Sequence, residues 1–140
     1  MSSSRPEAEG PGDNKLGLTS GQVVQELGWD EDADENVRVM VEDSIDGELF
    51  EEVMEAAEVV LMWWRDSDGD LADGLVDALT DLAEDGYVWL MTPKVGREGF
   101  VDPTDVAEAA VSAGLSVTIG VSVSSDWAAN KLVRPKSGRR

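Results

Sequence analysis

Three basic side chains in the middle of this acidic chain could together bind an anion. The 140 residues include 30 acidic and 11 basic side chains, which gives a formal net charge of −19. Between residues 39 and 130 there are 21 Asp and Glu residues, and the basic side chains there are only Arg65, Lys94 and Arg97. Guanidinium and ammonium groups are common protein partners of phosphates and carboxylates. If the fold brings the three together, they form a candidate anion site.

Two apolar runs must position these side chains. Residues 59–64 (VVLMWW) and 87–92 (YVWLMT) have the length of strands and no regular polar alternation, which is typical of parallel strands buried on both faces. Arg65 directly follows the first run, and Lys94 and Arg97 follow the second. Because ligands of open α/β sheets bind at the carboxyl ends of the strands, we expect a basic recognition edge there.

Other residues near these runs support or compete with this interpretation. Gly96 and Gly99 would allow backbone N–H groups to approach a ligand closely. Trp127 falls in a predicted loop, so it is the tryptophan best placed to face a ligand or a partner. Acidic neighbours could instead balance the basic charges through surface pairs, which contribute about 0–1 kcal/mol each. These neighbours are Asp66, Asp68, Asp70, Glu98 and Asp102.

Two helices are predicted around the second run. Between the two runs, the spacing of leucines predicts an amphipathic helix with Asp70 as its N-cap and Gly86 as its end. After the second run, Asp102 caps a helix that begins at Pro103 and ends at Gly114. The loops before these helices contain the candidate site.

Strand and helix signals therefore alternate along the chain. Strands over 116–123 and 131–135 complete a single α/β domain with a small, mostly parallel sheet of about four strands, the last one antiparallel. The arrangement is a Rossmann-like half without a Gly-rich cofactor motif. Upstream of the sheet we predict helices only. The first covers residues 19–28, with Thr19 and Gln22 as a capping box, and the second follows the acidic connector DEDADE.

Composition excludes several chemistries. The chain has neither Cys nor His, so disulfides, thiolate nucleophiles and imidazole ligands are excluded. An enzyme would have to use carboxylates, hydroxyls or a side chain such as Lys94. Asp66, Asp68 and Asp70 match the first three ligand positions of an EF-hand loop, but Leu71 stands where that loop needs Gly. They are therefore only weak candidates for a divalent metal, and no cofactor is predicted.

The net charge and the composition of the chain ends indicate which partners and which cellular location to expect. Nucleic acid and anionic membranes repel a polyanion, so neither is an expected partner. No stretch reaches the roughly 18 apolar residues of a membrane span, and the N-terminus lacks an apolar signal segment. The expected location is cytoplasmic. Residues 1–14 and 137–140 are predicted to be a disordered and a basic tail, which leaves one domain over residues 15–136.

Two resemblances follow from longer stretches. Residues 59–136, with LADGLVDALTDLAEDGYVWLMTP followed by AEAAVSAGLSV, resemble the C-terminal half of Rossmann-like methyltransferases. This resemblance implies the fold but not cofactor binding, because the chain lacks the G-x-G-x-G turn that forms the cofactor site of those proteins. Residues 16–136 resemble a family of small acidic actinobacterial proteins classed as a domain of unknown function. That likeness rests on LGLTSGQVVQELGWDEDAD, VVLMWWRDSDGDLADGLVDAL, VWLMTPKVGREGFVDPTDVAEAA, AGLSVT and Asp126-Trp127.

Together these features favour a non-enzymatic interaction or regulatory protein. Its protein partner would be recognised at the edge formed by Arg65, Lys94 and Arg97. The alternative is a small anion- or nucleotide-binding protein that uses the same three side chains. A third interpretation is an enzyme that works with carboxylates and Lys94.

Overall fold

The computed structural model describes residues 16–50, 56–80 and 82–135. In chain order its helices and strands are β1 (Val24–Leu27), α1 (Glu35–Ile45), β2 (Ala57–Trp63), α2 (Leu71–Leu79), β3 (Leu82–Pro93), α3 (Pro103–Ser112), β4 (Ser116–Ser122) and β5 (Trp127–Val133). The predicted tails at residues 1–14 and 137–140 lie outside the described residues.

The described strands form one mixed sheet in the order β1-β2-β3-β5-β4. β1, β2 and β3 are parallel, whereas β5 runs antiparallel to both β3 and β4. The predicted α/β class and the antiparallel last strand are therefore confirmed. The sheet has five strands where the sequence predicts about four. None of the helices within the described ranges is long and apolar enough to cross a membrane.

β2 is buried on both faces of the sheet, as its apolar run predicts. Every residue of β2 except Glu58 is buried. Trp63 packs in one apolar cluster with residues of α1, and Trp64 packs against the other cluster, which includes residues of α2 and α3. Helices thus cover both faces, and the two neighbouring tryptophans point to opposite sides because strand side chains alternate.

The first predicted helix, over residues 19–28, is wrong, because part of this segment forms the strand β1. Val24–Leu27 pairs in parallel with residues 59–62 of β2. Because β2 is already buried, pairing with it gives the backbone N–H and C=O groups of β1 their hydrogen-bond partners. This gain outweighs the local helical pattern of the segment. The Thr19–Gln22 pair is real, but it closes a turn: the Thr19 N–H donates to Gln22 Oε1 over 2.9 Å.

The helix predicted to end at Gly86 ends seven residues earlier, at Leu79. Leu82 begins β3 and pairs with Ala57 of β2. A Cβ at Gly86 would lie 2.8 Å from the carbonyl oxygen of Glu58, so the extended chain is held close to β2 at this point. Leucine spacing continued past the helix end, and the sequence pattern could not separate the two elements.

The N-caps of α2 and α3 are confirmed. The Asp70 carboxylate accepts hydrogen bonds from the N–H groups of Ala72 (2.9 Å) and Asp73 (3.4 Å). The Asp102 carboxylate accepts one from Thr104 N–H over 2.8 Å, and Pro103 takes the first helical position. These caps fix where the loops after β2 and β3 end.

The prediction that Trp127 lies in a loop is wrong. Trp127 is the first residue of β5, it pairs with Pro93, and only 3% of it is exposed. The last strand therefore begins four residues before the predicted Lys131, because β5 inserts between β3 and β4 and pairs along its whole length.

Candidate functional site

A cavity of about 420 Å³ lies where three loops meet at the carboxyl edge of the parallel strands. The loop after β1 contributes residues 30–32, the loop after β2 contributes Arg65 and residues 67–68, and the loop after β3 contributes residues 97–99. Trp127, at the amino end of β5, completes the wall. We call this the edge cavity. It brings Arg65 and Arg97 together from segments far apart in the chain.

Arg65 is buried and connects two of these loops through hydrogen bonds. Its Nε and Nη2 donate to the two carboxylate oxygens of Asp32, over 2.9 and 2.5 Å, and its Nη1 donates to the Gly28 carbonyl over 2.7 Å. Asp68 lies 3.5 Å from the same guanidinium. The side chain thus joins the loop after β1 to the loop after β2, and its charge is already paired.

This pairing changes the pKa of both partners. Hydrogen bonds from Arg65 hold the pKa of Asp32 below its usual range, against the effect of partial burial, and the positive charge lowers it further. Burial alone would lower the pKa of Arg65, but the hydrogen bonds and charges of Asp32 and Asp68 raise it above its usual value. Both groups therefore stay ionised at neutral pH.

Arg97 is the accessible cation of the edge cavity. Its side chain is 57% exposed, and its Nε lies 3.3 Å from a carboxylate oxygen of Asp126. An exposed pair of this kind contributes little to stability, because water competes for both charges. Arg97 can therefore be redirected to a partner at small energetic cost, unlike Arg65.

Lys94 does not join the two arginines. Its ammonium group donates to the hydroxyl of Ser122 on β4, and the side chain lines a separate cavity of about 320 Å³ near the start of α3. The two cavities share Pro93 as a lining residue. The loop after β3 thus places Lys94 and Arg97 in different cavities.

The two glycines of this loop differ in what surrounds them. Gly96 has a φ of +86° and open space where a side chain would be. Gly99 also has a φ of +86°, but a Cβ there would lie 3.1 Å from Cβ of Arg65. Its carbonyl accepts a hydrogen bond from the Asp66 N–H over 2.9 Å. Gly99 therefore lets the two loops pack together.

Carboxylates outnumber the arginines around the edge cavity. Among the described lining residues, six are acidic: Asp30, Glu31, Asp32, Asp68, Glu98 and Asp126. Sequence reasoning missed the contribution of residues 30–32, because the segment before them was read as a helix outside the sheet. The signal that could have found them is the acidic run DEDADE directly after the turn at Gly28.

A row of aromatic rings lies beneath the edge cavity. The Trp127 ring contacts Trp63 edge-on at 4.8 Å, and Trp63 contacts Trp29 in the same way at 5.6 Å. The Trp127 indole N–H donates to the Asp32 carbonyl over 3.2 Å, and the Arg65 guanidinium lies 5.3 Å from the Trp127 ring. Trp127 thus forms part of the cavity wall and joins it to the aromatic cluster below.

The weak metal candidates serve other roles. Asp68 accepts a hydrogen bond from the Arg65 N–H over 2.9 Å, and Asp70 caps α2. Asp66 is exposed at the start of a short 3₁₀ turn. In the part of the chain that the structure describes, no group of three or more acidic side chains is arranged to hold a metal ion.

Comparison with solved structures gives the fold, which resembles that of Rossmann-like methyltransferases. A putative type 11 methyltransferase from Sulfolobus solfataricus matches with a TM-score of 0.55 at 13% identity, over 86% of this chain and 88% of that one. The mitomycin 7-O-methyltransferase MmcR matches with a TM-score of 0.59 at 12% identity over 82% of this chain, which spans 49% of its length. At these identities the likeness shows the fold alone, and it reaches beyond the C-terminal half that the sequence indicated.

The chain belongs to the family described as Protein of unknown function (DUF3052), whose sequence profile matches residues 13–136. Uncharacterised proteins of Mycobacterium bovis and Mycobacterium tuberculosis are each 51% identical to it over 124 residues. These matches cover 88% of this chain and 78% of each relative. The family resemblance seen in the sequence is therefore confirmed.

Proposed function

We propose that this protein is a cytoplasmic interaction module without catalytic activity of its own. In this proposal the edge cavity binds a basic segment of a partner protein. The observation that carries it is the make-up of the cavity wall, in which six carboxylates surround an exposed arginine and a buried indole. Charge complementarity between these carboxylates and a basic segment would select the partner.

Charge decides between a basic and an anionic occupant. Arg65 is already neutralised by Asp32 and Asp68, and Arg97 is paired with Asp126. An anion would meet Asp30, Glu31 and Glu98, for which the described residues supply no ion-pair partner, whereas a Lys or Arg side chain would relieve the repulsion among the carboxylates of the wall. We therefore favour a basic protein segment over the phosphate or nucleotide that the three basic residues suggest by themselves.

The fold does not make the protein a candidate methyltransferase. Some methyltransferases that share this fold are described as SAM-dependent, and in dinucleotide-type sites a Gly-rich turn after a strand lets the cofactor approach the backbone. Here the turn after β1 has the single glycine Gly28, and the Arg65 guanidinium covers its carbonyl. The residues present do not fit that cofactor. In addition, Arg65 lowers the pKa of Asp32, the opposite of what a general acid needs.

Affinity capture with matched charge variants tests the proposal. The bait variant is Asp30→Asn, Glu31→Gln and Glu98→Gln, which neutralises three exposed carboxylates of the cavity wall. From an actinobacterial extract, we expect wild type to retain partners that this variant loses. Retention should also fall as salt rises to about 0.3 M, because exposed charge pairs are screened.

The control removes the same charge elsewhere. Asp77→Asn, Glu84→Gln and Asp85→Asn neutralise three exposed carboxylates that lie near the end of α2 and the start of β3, at the opposite edge of the strands. This bait should retain the same proteins as wild type. If the wall variant and the control capture identical proteins, the edge cavity is not the recognition site.

A further inference from the structure

The cavity that contains Lys94 has a floor made of small side chains. Thr92, Ala128 and Ser122 are register neighbours across β3, β5 and β4, and Gly120 pairs with Asn130 two residues further along. All of them line the cavity. Its walls come from the loop after β3 and the first turns of α3, with Phe100, Val101 and Val106. The space exists because small residues occupy sheet positions where large apolar ones would fill it.

The polar groups in this cavity are few and have capacity for a ligand. Thr92 is only 3% exposed as a residue, and it lines the cavity from β3. A hydroxyl that lines a cavity can donate one hydrogen bond to an occupant and accept others. The half-buried amide of Asn130 also lines the cavity, and the ammonium group of Lys94 contacts the Ser122 hydroxyl.

The charge of this cavity differs from that of the rest of the molecule. None of its described lining residues is Asp or Glu, and Lys94 is the charged residue among them. In a chain with a net charge of −19, most surfaces repel an anion. In a site lined by apolar side chains and one cation, an anion with an apolar body is stabilised twice. Its charge pairs with the cation, and its apolar body is buried against the apolar side chains.

We propose that this cavity, which we call the lysine pocket, binds a small apolar monocarboxylate. The carboxylate accepts hydrogen bonds from the Lys94 ammonium group and from the Thr92 hydroxyl. The apolar body of the ligand lies against Phe100, Val101 and Val106, over the floor formed by Ala128. A volume of about 320 Å³ suits a small ligand, at the lower end of the range for small-molecule sites. This site is independent of the partner proposed for the edge cavity.

Binding of phenylacetate to the full chain, followed by calorimetry and by NMR shifts of pocket residues, tests the proposal. Phenylacetamide is the matched uncharged probe. We expect phenylacetate to bind at least about tenfold more tightly, because only the carboxylate makes charge-assisted hydrogen bonds. Lys94→Met should remove this advantage and leave phenylacetamide affinity unchanged.

Two further variants complete the test. Lys131→Met removes an equal charge from β5, where the ammonium group lies 4.2 Å from the Tyr87 ring outside the pocket, and it should leave phenylacetate affinity unchanged. Ala128→Leu fills the floor and should abolish binding of both probes. Should that variant not fold, Thr92→Val keeps the shape, removes the hydroxyl, and should weaken phenylacetate several-fold. Equal phenylacetate affinity in wild type and Lys94→Met, or no saturable phenylacetate binding, overturns the proposal.

Discussion

At the scale of single residues, Arg65 shows how a charged side chain that suggests ligand binding can instead hold two loops together. Its guanidinium makes a two-point contact with Asp32 and also bonds the Gly28 carbonyl. Sequence reasoning considered pairing with acidic residues of the adjacent loops. The principal partner instead comes from 33 residues earlier in the chain. Arg97, with its single exposed pair to Asp126, is the more accessible of the two arginines.

The Asp32–Arg65 pair predicts a specific pH dependence of stability. Because the folded pKa of Asp32 is lowered, ionised Asp32 stabilises the folded state above its unfolded pKa of about 3.8. This stabilisation is lost as the pH falls through the folded pKa. We expect the difference in free energy of unfolding between wild type and Asp32→Asn to be constant from pH 7 to about pH 5, and to shrink below about pH 4.

Urea denaturation across this pH range measures that difference. Asp126→Asn is a useful comparison, because the pair of Asp126 with Arg97 is exposed and should contribute at most about 1 kcal/mol. A wild-type to Asp32→Asn difference that stays the same from pH 7 to pH 3 would contradict the assigned pairing.

At the scale of elements, the turn between β1 and α1 decides whether the edge cavity forms. Gly28 has a φ of +78°, and a Cβ there would lie 2.3 Å from the Trp63 carbonyl oxygen. β1 can therefore lie against the end of β2 only if this residue is glycine. The same close approach places residues 30–32 next to Arg65.

We expect Gly28→Ala to lower the free energy of unfolding by at least about 3 kcal/mol, since it combines a left-handed backbone with a steric clash. Gly96→Ala is the matched control, because Gly96 has a similar φ of +86° and open space around it. It should cost only about 1–2 kcal/mol. Urea denaturation of both variants separates the cost of the left-handed backbone from the cost of the steric clash. If both variants lose the same free energy of unfolding, the contact with the Trp63 carbonyl is not tight.

At the scale of the whole molecule, negative charge is distributed unevenly between the two cavities. The edge cavity has six carboxylates in its wall, whereas the described lining of the lysine pocket has none. Both cavities lie beside the loop after β3, which presents Arg97 to one and Lys94 to the other. A single loop thus separates a surface suited to cations from a pocket suited to an anion.

The overall charge also predicts how salt affects stability. With a net charge of −19, repulsion between carboxylates destabilises the compact state. Raising NaCl from about 10 mM to about 0.5 M shortens the Debye length to a few ångströms and should raise the thermal unfolding midpoint by several degrees. Differential scanning calorimetry measures the midpoint. A midpoint that falls with salt would show that attractive pairs outweigh the repulsion.

The sequence by itself determined the elements whose signals are local. The apolar runs of β2 and β3 report burial on both faces, and the Asp70 and Asp102 caps mark helix starts, because each signal involves residues only a few positions apart. These elements already placed Arg65 and Arg97 at one edge of the sheet.

Only the tertiary structure decided what depends on distant partners. The four residues of β1 form a strand because β2 lies beside them, and their own pattern favoured a helix. The pairing of Arg65 with Asp32 and the separation of Lys94 from Arg97 follow from loop geometry, which short-range patterns do not encode. The physical reason is that backbone pairing and charge pairing depend on distance in space, and the fold alone sets that distance.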